Sequence, residues 1–166
     1  MNTIQTIAGI MDFKNRYFPI FKKYFPDWNI IISGRDPDKS ILNFASENNI
    51  NVIANPMNME DIVSQAQIFL CPTNVGGGVK LRVMDGLRMG KPVLVHKVSA
   101  RGYEHFTNES FFRIYDNEES FLKGLKDLVE SSQKYNPSII QEKYLEEFSF
   151  NAGRERFRIL LEQLIS

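Results

Sequence analysis

The sequence contains a single cysteine, Cys71, so no disulfide closes within it and no multi-cysteine zinc site can form. Its two histidines, His96 and His105, lack a His-x-x-x-His spacing or a surrounding carboxylate cluster. They therefore read as structural or solvent-facing residues rather than as metal ligands or a general base. Net charge is also missing: 20 Lys+Arg oppose 20 Asp+Glu, which removes the electrostatic case for non-specific nucleic-acid binding. No stretch approaches the roughly 18 apolar residues that cross a bilayer. The first residues, Met1 to Ile10, have neither the positive start nor the long apolar run of a secretory signal. Asn108-Glu109-Ser110 matches a glycosylation acceptor by pattern only, and the default expectation is a cytoplasmic location. Linkers, low-complexity segments and repeats are absent as well.

What remains is the composition of an ordinary soluble domain. The 166 residues are 43% hydrophobic and 24% charged, enough to bury a core and too ordered in composition for intrinsic disorder. An enzyme that builds its site between two domains does not fit in this length.

Short apolar runs alternate with longer amphipathic segments. Ile4 to Ile10 reads as a first strand, after which Asp12 caps a helix carrying Phe13, Tyr17, Ile20, Phe21 and Tyr24. That aromatic stripe reads as core, and Pro19 should kink or divide the helix. Further strands are expected at Trp28–Ser33, Asn51–Ala54, Gln67–Cys71, Pro92–His96 and Phe112–Tyr115. Helices are expected at Pro37–Asn48, Met59–Ala66, Val79–Met89, Glu118–Gln133, Pro137–Phe148 and Asn151–Ile165, with a short turn at Gly102–Phe106. Continuous apolar strands separated by helices predict a doubly wound α/β domain with a mostly parallel sheet of about six strands and helices on both faces. Such folds bind ligands outside the carboxyl ends of their strands.

The segment Thr73 to Gly86 (TNVGGGVKLRVMDG) is the richest in chemistry. Three consecutive glycines between strand and helix let the backbone approach a ligand closely. The free N–H groups of Val79, Lys80 and Leu81 are expected at the helix start, where the dipole favours an anion. Lys80 and Arg82 add cations there against the dipole, which calls for a compensating negative ligand such as a diphosphate. Asp85 either accepts hydrogen bonds from a ribose diol or simply pairs with Arg82 on a solvated face; spacing alone leaves both open. Gly86 to Lys91 (GLRMGK) is not a Walker loop, because the spacing is short and Pro92 stands where Ser or Thr belongs. The glycine run also lacks the third spaced glycine of a dinucleotide fingerprint. Buried at a strand end, Cys71 reads as a small hydrophobe rather than a nucleophile.

The string GGGVKLRVMDGLRMGKPVLV (Gly76 to Val95) closely resembles the nucleotide-sugar site of retaining GT-B glycosyltransferases, group 1. Ile31 to Pro37, Asn55 to Pro72, Ser99 to Glu104 and Glu147 to Phe150 resemble further parts of the same family. The likeness covers nearly the whole chain, but only the carboxy-terminal, donor-binding half of such an enzyme. It implies a Rossmann-like donor domain over residues 1–166, with the amino-terminal acceptor domain absent. By position it implies that Asp85 holds the ribose, and that Gly77, Gly78, Val79, Lys80 and Leu81 meet the diphosphate. Lys80 and Arg82 become the charge partners of the leaving group, while Gly34, Arg35 and the segment Val52 to Asn55 wall the nucleobase. The donor would be a nucleoside-diphosphate sugar, with no metal cofactor expected. The acceptor would be read by the absent half, and peripheral membrane association of a full enzyme is compatible with the family. Many relatives carry an acidic residue eight positions before the ribose carboxylate, where this chain has Gly77. Their Arg and Lys after the first strand have no clear match, Lys14 and Arg16 being poorly aligned. A nucleotide-sugar epimerase half and a non-catalytic nucleotide-sugar or protein-binding module are the competing readings.

Overall fold

The segment expected as a first strand is instead a helix, α1 (Ile4–Asp12), in the computed structural model, which describes residues 1–132 and 135–165. Its β-branched composition suggests a strand, but its buried residues are Thr6, Gly9 and Ile10, at helical spacing. Phe13 and Tyr17 continue the same buried face into the next segment. Thr3 caps the helix, its hydroxyl accepting from the Thr6 N–H at 3.3 Å. Asp12 is therefore not a cap but the last residue of α1, facing Arg16 at 3.9 Å. A π-helical turn (Phe13–Tyr17) joins α1 to α2 (Phe18–Tyr24), in which Pro19 is the second residue. The expected division at proline thus takes the form of a widened turn rather than a break. Phe13, Tyr17 and Phe21 are buried as expected, whereas Tyr24 lies 44% exposed.

The remaining elements follow the alternating pattern: β1 (Ile31–Gly34), α3 (Lys39–Glu47), β2 (Asn51–Ala54), α4 (Met59–Gln65) and β3 (Phe69–Cys71). Then come α5 (Leu81–Arg88), β4 (Val93–His96), a short turn of 3-10 helix at Glu104–Phe106 and β5 (Phe112–Tyr115). Three helices complete the chain: α6 (Glu118–Glu130), α7 (Pro137–Phe148) and α8 (Phe150–Ile165). The expected end of α6 at Gln133 lies outside the described residues. Asn117 and Ser120 form a reciprocal capping box that starts α6, a device that stabilises a helix by about 1 kcal/mol.

Five strands, rather than about six, are present among the described residues, and all pair in parallel. They form a two-stranded sheet, β1-β2, and a three-stranded sheet, β3-β4-β5. Alternation decides which helices each strand meets. Leu94 of β4 points into a cluster with Phe13, Tyr17, Phe44, Phe121 and Leu128 from α3, α6 and the first helical segment. Its neighbours Val93 and Val95 point the other way, onto Val83 and Leu87 of α5 and Ile140 of α7. Helices thus cover both faces, which is the doubly wound, Rossmann-like arrangement expected from the sequence. No helix among the described residues is long and apolar enough to cross a membrane.

Candidate functional site

The carboxyl ends of the strands carry the loops that the sequence singles out. After β3, residues 72–80 run as an irregular loop into α5, and Gly76 (φ 94°) and Gly78 (φ 70°) both adopt the left-handed backbone that favours glycine. The loop is held from behind. Ser99, fully buried, donates to the Thr73 carbonyl oxygen at 2.7 Å. Tyr103, also fully buried, donates through its hydroxyl to the Lys80 carbonyl oxygen at 2.8 Å.

α5 begins at Leu81, two residues later than expected, with Lys80 as its N-cap residue. The N–H groups of Leu81 and Arg82, not those of Val79 and Lys80, therefore open the first turn. The Val83 N–H is already bonded to the Lys80 carbonyl oxygen at 3.0 Å. Lys80 folds back so that its Nζ donates to the Gly77 carbonyl oxygen at 2.7 Å. A Cβ on Gly76 would lie 2.7 Å from Gln5 Nε2 and 3.2 Å from Lys80 Nζ, the ends of flexible side chains that can swing aside, so it is the positive φ that calls for glycine there.

Beside this loop lies a cavity of about 350 Å³. Gly77, Val79, Lys80, Leu81 and Arg82 line it from one side, Thr73, Cys71 and Ser99 from below, and Thr3, Gln5 and Thr6 from the opposite side. The starts of two helices, α1 and α5, therefore border one space together with two cationic side chains, and among the described residues no carboxylate or histidine lines it. That combination suits an anion. It offers no group that would abstract a proton. Cys71 is buried, and desolvation pushes its thiol up to about 12, so it stays protonated and unreactive.

The other expected site residues are placed around this cavity rather than in it. Asp85 sits on the exposed side of α5, and the expected alternative of a pairing with Arg82 is not formed within ion-pair distance. Arg88 instead holds Glu60 at 2.8 Å. Partial desolvation raises the Asp85 carboxyl above the usual carboxylate range, opposed by Arg88 and Arg82. Gly34 and Arg35 lie at the end of β1 with Asn55 at the end of β2. The Asn55 N–H donates to the Gly34 carbonyl oxygen at 3.0 Å, and Asn55 Oδ1 accepts from the Asp36 N–H at 3.0 Å. Asp36 and Asn55 both adopt positive φ, giving a tight rim whose residues do not line the cavity. Gly78 borders the cavity only through its neighbours.

Lys14 and Arg16 pair with Glu47 at 3.3 Å and Glu118 at 2.7 Å and do not line this cavity. His96 is 8% exposed and its Nδ1 accepts from the Val98 N–H at 3.1 Å; His105 packs on Phe106 and Phe148. Among the described residues no group of three or more His, Cys, Asp or Glu is arranged to hold a metal ion. Thr3, Gln5 and Thr6 are the cavity residues that sequence reasoning missed. The signal that identifies them is a cap pattern, Thr3 three residues before Thr6, which marks a helix start rather than a strand.

A family model described as Glycosyl transferases group 1 matches residues 5–131, spanning α1 to α6 and every strand. No curated protein matches the chain.

Proposed function

The chain belongs to the glycosyl transferases of group 1, and from that premise we propose that it is the donor-binding domain of a transferase using a nucleoside-diphosphate sugar. The observation that carries this reading is the cavity at the start of α5, where Lys80, Arg82 and helix N–H groups converge without any lining carboxylate. A diphosphate placed there meets backbone donors of Leu81 and Arg82 and two cations. The same groups stabilise the charge that develops on the diphosphate as the glycosidic bond to it breaks. This electrostatic role needs no metal ion and no general base from this domain. Asp85, which makes no ion pair within 4 Å among the described residues, accepts the ribose hydroxyls, and the rim formed by Gly34, Arg35 and Asn55 receives the base. Retention at the anomeric carbon follows from the family's chemistry. The acceptor is read by a second, amino-terminal domain.

Calorimetric titration of the 166-residue chain with UDP, GDP and ADP tests the reading. One of the three binds, EDTA leaves the affinity unchanged, and Lys80→Ala weakens it about tenfold or more, the loss of one charge-assisted contact. Asp85→Ala weakens the diphosphate nucleoside but not inorganic pyrophosphate. Failure of all three nucleotides to bind, or unchanged affinity in both variants, sinks the assignment. The absence of a proton-abstracting group in the cavity also favours a second reading, a nucleotide-sugar-binding module without turnover. Release of free sugar from a bound nucleotide sugar separates the two.

A further inference from the structure

The first turn of α5 is closed differently from those of α1, α3, α6 and α7. In those four helices the carbonyl of the cap residue accepts the N–H four residues on. Thr3 accepts from Ile7 at 3.0 Å, Asp38 from Leu42 at 3.1 Å, Asn117 from Phe121 at 2.9 Å and Asn136 from Ile140 at 3.4 Å. Each of these caps also covers an N–H of the first turn with its own side-chain oxygen. Lys80, the cap residue of α5, makes no such side-chain bond. Its carbonyl oxygen accepts the N–H three residues on, from Val83 at 3.0 Å, together with the Tyr103 hydroxyl at 2.8 Å. The Met84 N–H, which an ordinary turn gives to the cap carbonyl, faces the Tyr103 oxygen. A phenol is thus inserted into the hydrogen-bond ladder at the start of the helix.

That phenol stands on a firm base. Tyr103 is fully buried, with its ring against those of Phe112 and Phe148, centroids 6.4 and 5.5 Å away. Burial raises its pKa above the ordinary tyrosine value, so the hydroxyl keeps the proton it donates. The same connection between β4 and β5 holds the far end of the glycine-rich loop through Ser99, which donates to the Thr73 carbonyl oxygen at 2.7 Å. It also meets the loop at Gly102 (φ 86°), where a Cβ would lie 2.7 Å from Val79 Cγ2. Between these fastenings Gly77 and Gly78 have open space where a Cβ would stand.

The arrangement suits a ligand that is itself an acceptor. A side-chain cap would occupy the N–H groups that an anion needs. Fixing the turn through its carbonyl leaves the N–H groups of Leu81 and Arg82 uncovered and still sets their direction. Donors held in place beforehand need little ordering when the ligand arrives.

On the reading of the cavity as a diphosphate site, we propose that Tyr103 is its positioning residue, setting the first turn of α5 for the anion without touching it.

Tyr103→Phe keeps the ring and removes the hydroxyl. Calorimetry with inorganic pyrophosphate, and with whichever nucleoside diphosphate binds the unaltered chain, is expected to show both weakened about fivefold or more. Amide exchange at Val83 and Met84 in the ligand-free protein becomes faster. Leu128→Ala, in the core on the other face of β4, lowers the melting temperature more than Tyr103→Phe and leaves both affinities unchanged. That contrast separates positioning from a general loss of stability. Unchanged affinity in Tyr103→Phe, or an equal loss in Leu128→Ala, overturns the proposal and leaves the donor site standing. No binding by the unaltered chain removes the donor site and the proposal together. Should Tyr103→Phe fail to fold, amide exchange in the unaltered chain decides. Protection of Val83 and Met84 before pyrophosphate is added supports a turn set in advance; protection that arises only with pyrophosphate overturns it.

Discussion

The two sheets use similar residues and the same parallel pairing, but they are buried to different depths. In β4 all four residues are buried, Val93 and Val95 completely. In β1, an equally apolar strand, only Gly34 is buried, and Ile31 is 40% exposed. The difference lies in the neighbours. α6 and the first helical segment cover one face of β4 while α5 and α7 cover the other, whereas β1 and β2 rest on helices chiefly through Ile32 and Val52. An apolar strand sequence therefore does not by itself set burial; the second layer of helices does.

Substitutions measure that contrast most directly. Leu94→Ala is expected to cost about 3 kcal/mol in chemical denaturation, while Ile31→Ala costs less than about 1 kcal/mol. Equal losses would break the distinction between the sheets. Next in size, Gly9→Ala forces a methyl against the Pro72 carbonyl oxygen and the Thr73 backbone. A loss of about 2 kcal/mol is expected, because this contact sets the first helix over the ends of the strands.

The contrast extends to the proposed site. Lys80→Ala, on the side of the three-stranded sheet, is expected to reduce nucleoside-diphosphate affinity about tenfold. Arg35→Ala, on the rim of the two-stranded sheet, should act less on inorganic pyrophosphate than on the nucleotide. Calorimetry with both ligands decides, and an equal effect on pyrophosphate would place the diphosphate at the wrong sheet.

The smallest effect concerns pH. Burial lowers the His96 pKa, and its Nδ1 must remain an acceptor for the Val98 N–H. The folded state then binds fewer protons than the unfolded one as pH falls through the ordinary histidine value of about 6.5. Stability should decline over that range and on towards the lower folded value. Melting curves between pH 7.5 and 5 check this, with His96→Gln flattening the profile; a profile as steep in that variant would assign the effect to other groups.

Much of this architecture was legible in the sequence, for identifiable reasons. β2 and β5 and the helix Pro137–Phe148 fall on the expected bounds because polar or turn residues stand directly beside their apolar runs. The glycine-rich loop and its two cations were legible as well, since their chemistry is local. Ile4 to Ile10 misled because β-branched content suggested a strand, while its inward face, shared with Phe13 and Tyr17, becomes visible only over a longer window. That misreading also hid Thr3, Gln5 and Thr6, which reach the cavity only because a helix starts there. The split of the strands into two sheets depends on pairing, which no single segment encodes.

α5 is fastened at both ends. At its start, the Lys80 carbonyl accepts the Tyr103 hydroxyl; at its finish, Gly90 abuts Pro137 so closely that a Cβ would lie 2.7 Å from it, and Gln141 donates to the Arg88 carbonyl oxygen at 3.1 Å. Eight residues make a rod of about 12 Å that barely compresses. Mechanically, the helix is a connecting rod between α7 and the glycine-rich loop. Displacing α7 therefore bears on the end of α5 through Pro137 and Gln141, and the other end of the rod holds the glycine-rich loop.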